Sequence, residues 1–348
     1  MRRHRLSSNR FLLILAILGA LAVVQPAEGQ VAGAFARRGF GPRGIAMGNA
    51  QTADVFGHGS PWYNPALGPS YSNQSIDASY TFLSHDRRLE YVQFLVPMPP
   101  RAGIGAGLIH AGVTNIDGRD ASGYHTEYYS TDEFAGFLAF GSRVGEKASV
   151  GIAFRFYRSD LLPDLGAASS IGIAVGAAYR VNESWALGLA VDDILSRYEW
   201  DTSDVAGSSG RKTTDDFPIR LRVGSAYRTL NDRLILSAEF ESRFESVRGT
   251  TRTIEVLGGV PLVIESVDER TLHTAHLRAG AEYRFADVFL VRAGLDRLTD
   301  GSLSEIIPSL GFSVDQQLGD LGAGFQYVFG KEAYSLGTFH VIGIQLNI

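Results

Sequence analysis

Residues 277–285, LRAGAEYRF, decide the fold. Leu277, Ala279, Ala281, Tyr283 and Phe285 share one face of an extended chain, while Arg278, Glu282 and Arg284 share the other. A period of two is the mark of a β-strand, whose successive side chains point to opposite sides. The rhythm returns at residues 150–156 and 185–192, and at 217–228, where Ile219, Leu221, Val223 and Tyr227 alternate with Arg220, Arg222 and Arg228. Fourteen strands are expected, at residues 74–83, 90–97, 102–110, 133–141, 148–157, 169–180, 185–193, 217–228, 233–243, 275–285, 288–296, 304–313, 319–329 and 339–347. A soluble sandwich also alternates, so the connections must separate the two architectures. Those after even-numbered strands are short, whereas those after odd-numbered strands include the long stretches 111–132, 194–216 and 244–274. Short turns at one end, long loops at the other and an even strand number predict an all-β fold, a transmembrane antiparallel barrel with both termini on the periplasmic side. Within 244–274, the apolar piece 255–267, broken by Pro261, admits an extra hairpin in that loop.

The ends of the chain agree with export. Residues 1–10 carry four Arg, residues 11–24 are apolar but for Gly19, and Ala27 and Gly29 offer small residues for cleavage. This predicts a signal peptide over residues 1–29. Arg2-Arg3 hints at twin-arginine export, although nothing suggests a cofactor loaded beforehand. Without those residues, four Arg and one Glu among them, the net charge moves from −5 to −8, which argues against nucleic acid as a partner. The chain has no Cys, which excludes disulfides, thiol chemistry and a lipid-anchored start. No later apolar run is long enough to span a membrane as a helix, so a membrane protein of this sequence has to be a closed barrel of residues 74–348.

Ahead of the strands lies GFGPRGIAMGNAQTADVFGHGSPWYNPAL, residues 39–67, rich in Gly, Ala and Pro and without a sustained period. It reads as ordered irregular chain with one short helix near residues 46–52. Such a segment has backbone polar groups to satisfy, and the inside of a barrel is one place to do so; residues 30–73 are therefore expected to form a plug in the lumen. Residues 39–44 match G-x-G-x-x-G, but no strand precedes and no βαβ unit follows, so a dinucleotide site is not expected.

Two elements here, Arg43-Gly44-Ile45-Ala46-Met47-Gly48-Asn49-Ala50 and Trp62-Tyr63-Asn64-Pro65-Ala66-Leu67, resemble the N-terminal region of the PorV/PorQ family of outer-membrane proteins, relatives of the FadL fatty-acid channels. The resemblance implies a plug motif of Arg43, Gly44, Met47, Gly48, Trp62, Asn64, Pro65 and Ala66, and a barrel of about fourteen strands. The family usually carries a pair of Asp between the two elements. Here Val55-Phe56-Gly57-His58-Gly59 stands instead, so that pair's role does not carry over. Asn64 before Pro65 favours extended geometry and a turn, with Trp62 and Tyr63 against the inner wall; the FadL likeness adds a hatch whose movement opens a path. The last strand has Ile342, Ile344, Leu346 and Ile348 on one face, and resemblance implies recognition by the outer-membrane assembly machinery, with Ile348 in the usual place of Phe.

The same register places Arg155, Arg220, Arg222, Glu239, Glu241, Arg243, Arg278, Glu282, Arg284, Arg292 and Asp296 in the lumen. They are expected to form a mutually paired network that stiffens the wall and holds the plug; an anion-attracting patch is the sharper alternative. His273 and His276 fall on opposite faces of a strand, and Gly57-His58-Gly59-Ser60-Pro61 is no nucleophile elbow, so no metal, cofactor or catalytic site is expected. Two functions compete. The PorV/PorQ resemblance implies binding of the C-terminal domains of exported proteins in type IX-like secretion, through the long loops; the FadL relationship implies passive transport of hydrophobic compounds. The charged lumen favours the first. Ala281→Arg, on the lipid face, is expected to destabilise more than Glu282→Ala.

Overall fold

The computed structural model describes residues 32–57, 59–162, 165–257, 260–286, 288–299 and 305–348. The expected signal segment lies outside them. Sixteen strands form: β1 Ser75–Phe82, β2 Arg87–Met98, β3 Ala102–Arg119, β4 His125–Arg143, β5 Ala148–Asp160, β6 Ala168–Arg180, β7 Trp185–Ile194, β8 Arg197–Asp201, β9 Lys212–Asp216, β10 Ile219–Thr229, β11 Leu234–Leu257, β12 Val260–Ala286, β13 Phe289–Asp296, β14 Ile307–Leu318, β15 Leu321–Lys331 and β16 Thr338–Asn347. All but β8 and β9 join one closed sheet of fourteen strands, each antiparallel to its neighbours. β1 meets β16 with Ile76 opposite Leu346 and Tyr80 opposite Ile342, which closes the ring and leaves no free edge.

The alternation has a physical cause on each side of the wall. Outward positions such as Phe94, Leu108, Leu138, Phe154, Leu187, Leu189, Val223, Phe325 and Ile344 are large, apolar and exposed, as a lipid-facing band requires. Their inward neighbours are small or charged: Ala186 and Ala190 beside Leu187 and Leu189, Arg220 and Arg222 beside Val223. No helix among the described residues is long and apolar enough to cross a membrane.

Three expected loops differ. Residues 111–132 are largely strand, because β3 and β4 run on to Arg119 and from His125. Residues 255–257 and 260–267 belong to the far end of the β11–β12 ribbon and not to an added one, since its ladder continues to Leu257 opposite Val260. Above the lipid band a ladder needs only backbone hydrogen bonds, so the strands continue after the apolar alternation has stopped. Residues 194–216 hold the separate β8–β9 ribbon, with Tyr198 and Trp200 turned inward and buried. The expected strand at 304–313 begins instead at Ile307 and continues to Leu318.

The described residues 32–57 and 59–73 pack against inward positions of the ring. A short helix, α1, spans Gly41–Ala46 and touches β1 and β13–β16, while the 3₁₀ turn Pro65–Ser70 touches β2–β6 on the opposite wall. α1 sits earlier than the helix expected near 46–52, because Pro42 at its start supplies a preset φ and Gly48 and Asn49, at φ 60° and 62°, end it.

Candidate functional site

The N-terminal segment can come this close because the wall is made of glycine where they meet. Gly103, Gly141, Gly151 and Gly176 stand opposite one another across β3–β6, as do Gly188 and Gly224 across β7–β10 and Gly280 and Gly294 across β12–β13. A Cβ on Gly151 would lie 2.3 Å from the Pro65 carbonyl carbon, and one on Gly294 would lie 2.0 Å from the Gly48 nitrogen. Backbone therefore rests directly on backbone. Gly48 itself needs both its left-handed φ and its bare Cα, since a Cβ there would be 2.6 Å from the Leu295 nitrogen.

Charge then fixes the segment to β5, β7 and β10–β13. Arg43 of α1 pairs with Asp54 and, at 2.9 Å, with Glu282, which also takes Arg292 at 2.6 Å. Glu239 accepts the Gln51 and Thr52 backbone N–H groups at 3.1 and 2.9 Å. Arg278 reaches Glu239, Glu241 and Asp296 within 2.7–2.9 Å. Glu241 also meets Arg243 and Arg220; Arg220 meets Asp193; Arg155 bridges Asp193 and Asp192; Asp192 holds Arg222. Among the described residues these ion pairs form two clusters, one of Arg43, Arg292, Asp54 and Glu282 and one of Arg155, Arg220, Arg222, Arg243, Arg278, Asp192, Asp193, Glu239, Glu241 and Asp296. Gln51 joins them into one network, its Oε1 accepting from Arg43 at 2.8 Å and its N–H donating to Glu239 at 3.1 Å. Burial in this low-dielectric setting makes each pair depend on its partner.

The structure brings together Arg43, Arg220, Arg222, Glu239, Glu241, Arg278, Glu282 and Arg292. It does not bring in Arg284, which is exposed near the short-turn end of β12, beyond the level of the N-terminal segment. Gly44 lies under Tyr63, whose hydroxyl donates to Asn49 Oδ1 at 2.7 Å, and Met47 is fully buried against Gly280. Trp62 is buried with the Arg155 guanidinium 4.2 Å over its ring. Asn64 accepts from the Ala66 N–H and donates to Thr52 O and Ala177 O, tying the turn to both segment and wall. Pro65 lies on Gly151, and the Ala66 carbonyl accepts from Ser149 Oγ at 2.8 Å.

Sequence reasoning missed Asp54, Asp192, Asp193 and Glu332. Asp54 stands one residue before the stretch compared with the family's acidic pair. Asp192 and Asp193 are adjacent, and alternation would send one outward; Asp193 at φ 61°, beside the β6–β7 register shift, turns both into the lumen.

On the other side of α1, toward the long-hairpin end, a cavity of about 220 Å³ opens between the segment, β1 and β14–β16. Ile45, Leu83, Leu89, Ile307, Leu336 and Phe339 give it an apolar lining, with Arg37, Arg38, Arg243, Asp296, Arg297 and Glu332 on its border. Glu332 clasps that border: its carboxylate takes Arg38 at 3.0 Å, Arg87 at 2.9 Å and the Ser84 N–H at 3.1 Å. Burial alone would raise the Glu332 pKa; these donors outweigh it and hold the carboxyl below the ordinary glutamate range. Among the described residues no group of three or more His, Cys, Asp or Glu stands ready to hold a metal.

Solved structures with this geometry are a toluene transporter of Ralstonia pickettii (TM-score 0.59, 15% identity, covering 90% of this chain and 98% of that one), a toluene transporter of Pseudomonas putida (0.58, 13%, 89% and 96%) and a FadL homologue of Pseudomonas aeruginosa (0.57, 12%, 89% and 98%). The chain has the FadL-like barrel fold. No protein-family model and no curated protein matches it. At these identities the likeness is one of fold, and neither PorV/PorQ membership nor a secretion role has a counterpart among these FadL-like neighbours.

Proposed function

We propose that this FadL-like barrel sits in the outer membrane, both termini periplasmic, with residues 30–73 as its plug, and admits small hydrophobic compounds without chemical change. The observation that carries this reading is the apolar cavity beside α1. Its 220 Å³ exceeds the roughly 150 Å³ of an apolar protein cavity that accepts benzene and falls short of what a long acyl chain would fill. A one-ring hydrocarbon matches it in size and polarity, and toluene is the cargo of two of the neighbouring structures.

The test is a ligand-observed NMR titration of the detergent-solubilised barrel with toluene and with a long-chain fatty acid. Saturable toluene binding that disappears in Ile307→Trp, which fills the cavity, supports the proposal. Preference for the fatty acid, or unchanged toluene binding in Ile307→Trp, overturns it.

A further inference from the structure

Nine buried carboxylates face the interior among the described residues, and eight of them have an arginine partner: the seven of the network and Glu332. Asp77 is the exception. It is 7% exposed, and the one hydrogen bond it receives comes from Gln93 Nε2 at 3.1 Å. An ionised carboxylate buried with so little compensation is costly, so either a proton or a bound cation must neutralise it.

Its surroundings say which. In the sheet register Asp77 stands directly between Gln345 on β16 and Gln93 on β2, at the seam where the barrel closes. Gln326 on β15 donates to Gln345 Oε1 at 3.2 Å, while its own Oε1, on a side chain 5% exposed, has no hydrogen-bond partner. Together with Ser60 of the N-terminal segment, these side chains line a cavity of about 30 Å³ under α1. That is about one water's share of liquid volume. The Asp77 carboxylate and the unpartnered Gln326 Oε1 border this space, while Gln93 Oε1 and Gln345 Oε1, each accepting one hydrogen bond (from Ser60 Oγ at 2.6 Å and from Gln326 Nε2), keep a second lone pair. Oxygen ligands of this kind suit a hard cation.

We infer that Asp77, Gln93, Gln326 and Gln345 hold one monovalent cation of sodium's size. The charge follows from the site: one carboxylate balances one positive charge, and Arg43 on the same cavity wall disfavours a second. Bound there, the ion links the first and last strands of the barrel to the segment that fills it, on the flank that has no arginine network.

The experiment is thermal unfolding of the full barrel in non-ionic detergent at pH 8, with sodium chloride exchanged for choline chloride at constant ionic strength. Above its Kd, each tenfold rise in sodium should raise the folded-to-unfolded ratio of the wild type about tenfold, and Asp77→Asn should show no such slope. Equal behaviour in sodium and choline, or an unchanged slope in Asp77→Asn, overturns the inference; in the first case the carboxyl holds a proton instead. Sodium-23 line broadening by the wild-type barrel provides a second measurement, independent of how the variant folds. It should be present in the wild type and lost in Gln326→Leu, and its absence from the wild type overturns the inference.

Discussion

The two flanks of the N-terminal segment are held by different chemistry. Against β5, β7 and β10–β13 its own Arg43 and Asp54 join six arginines and six carboxylates of the wall, in two ion-pair clusters bridged by Gln51. Against β1, β2 and β14–β16 it meets amides, hydroxyls, the apolar cavity and one local clasp, in which Glu332 takes Arg38 and Arg87. Buried ion pairs add geometric definition more reliably than net stability, but removing one member is severe because the others stay buried and unmatched. A segment that must stay seated while leaving room for a guest is well served by this asymmetry: fixed on one flank, adaptable on the other.

The strongest way to break the comparison is Arg278→Ala. It takes from Glu239 and Asp296 the arginine that pairs them and from Glu241 one of three, and a loss of about 3–5 kcal/mol is expected in a urea unfolding titration. Gln326→Ala, on the other flank, should cost about 1 kcal/mol. Equal losses would mean that the flanks do not differ in the way described.

Next comes the wall itself. Ala281 faces outward between Leu236 and Ala293, so Ala281→Arg should cost about 2–4 kcal/mol near mid-membrane. The expectation that Glu282→Ala is milder does not survive the structure. Glu282 is buried between Arg43 and Arg292, and its removal should cost at least as much as Ala281→Arg, about 3–5 kcal/mol by the same measurement.

These cases show what the chain's order reveals and what it conceals. Alternation at 277–285 is legible because lipid on one side and lumen on the other impose opposite demands on neighbouring residues. The continuation of β3 to Arg119 and of β11 to Leu257 is not, since beyond the lipid nothing imposes opposite demands on the two faces and the alternation is lost. The site is legible only in part. Arg278 and Glu282 stand out as charges inside apolar strands, whereas Asp193 escapes because a single positive φ reverses its side. The glycine row could have been found: Gly280, Gly294 and Gly188 all occupy inward positions of well-patterned strands.

Two smaller effects sharpen the cavity flank. Thr81 lines the cavity with its hydroxyl buried and without a hydrogen-bond partner. Thr81→Val should raise stability by about 1 kcal/mol in the urea titration and tighten toluene binding in the NMR titration. Glu332 supplies the pH dependence. Its folded pKa is depressed, so its contribution is full above the unfolded value of about 4.3 and fades as pH falls through the folded one. The stability difference between wild type and Glu332→Gln should therefore be constant above about pH 5 and shrink below it, by less than about 1 kcal/mol for so local a clasp. A difference that grows on acidification would show that the clasp is not what the carboxylate does.

The glycine row has an electrical consequence. Where Pro65 rests on Gly151 and Gly48 on Gly294, backbone meets backbone without the width of a hydrated ion between them. Along those contacts no hydrated ion can pass. Inserted singly into a planar bilayer under voltage, it should leave the current trace flat, so that a cell could carry many copies without short-circuiting its outer barrier.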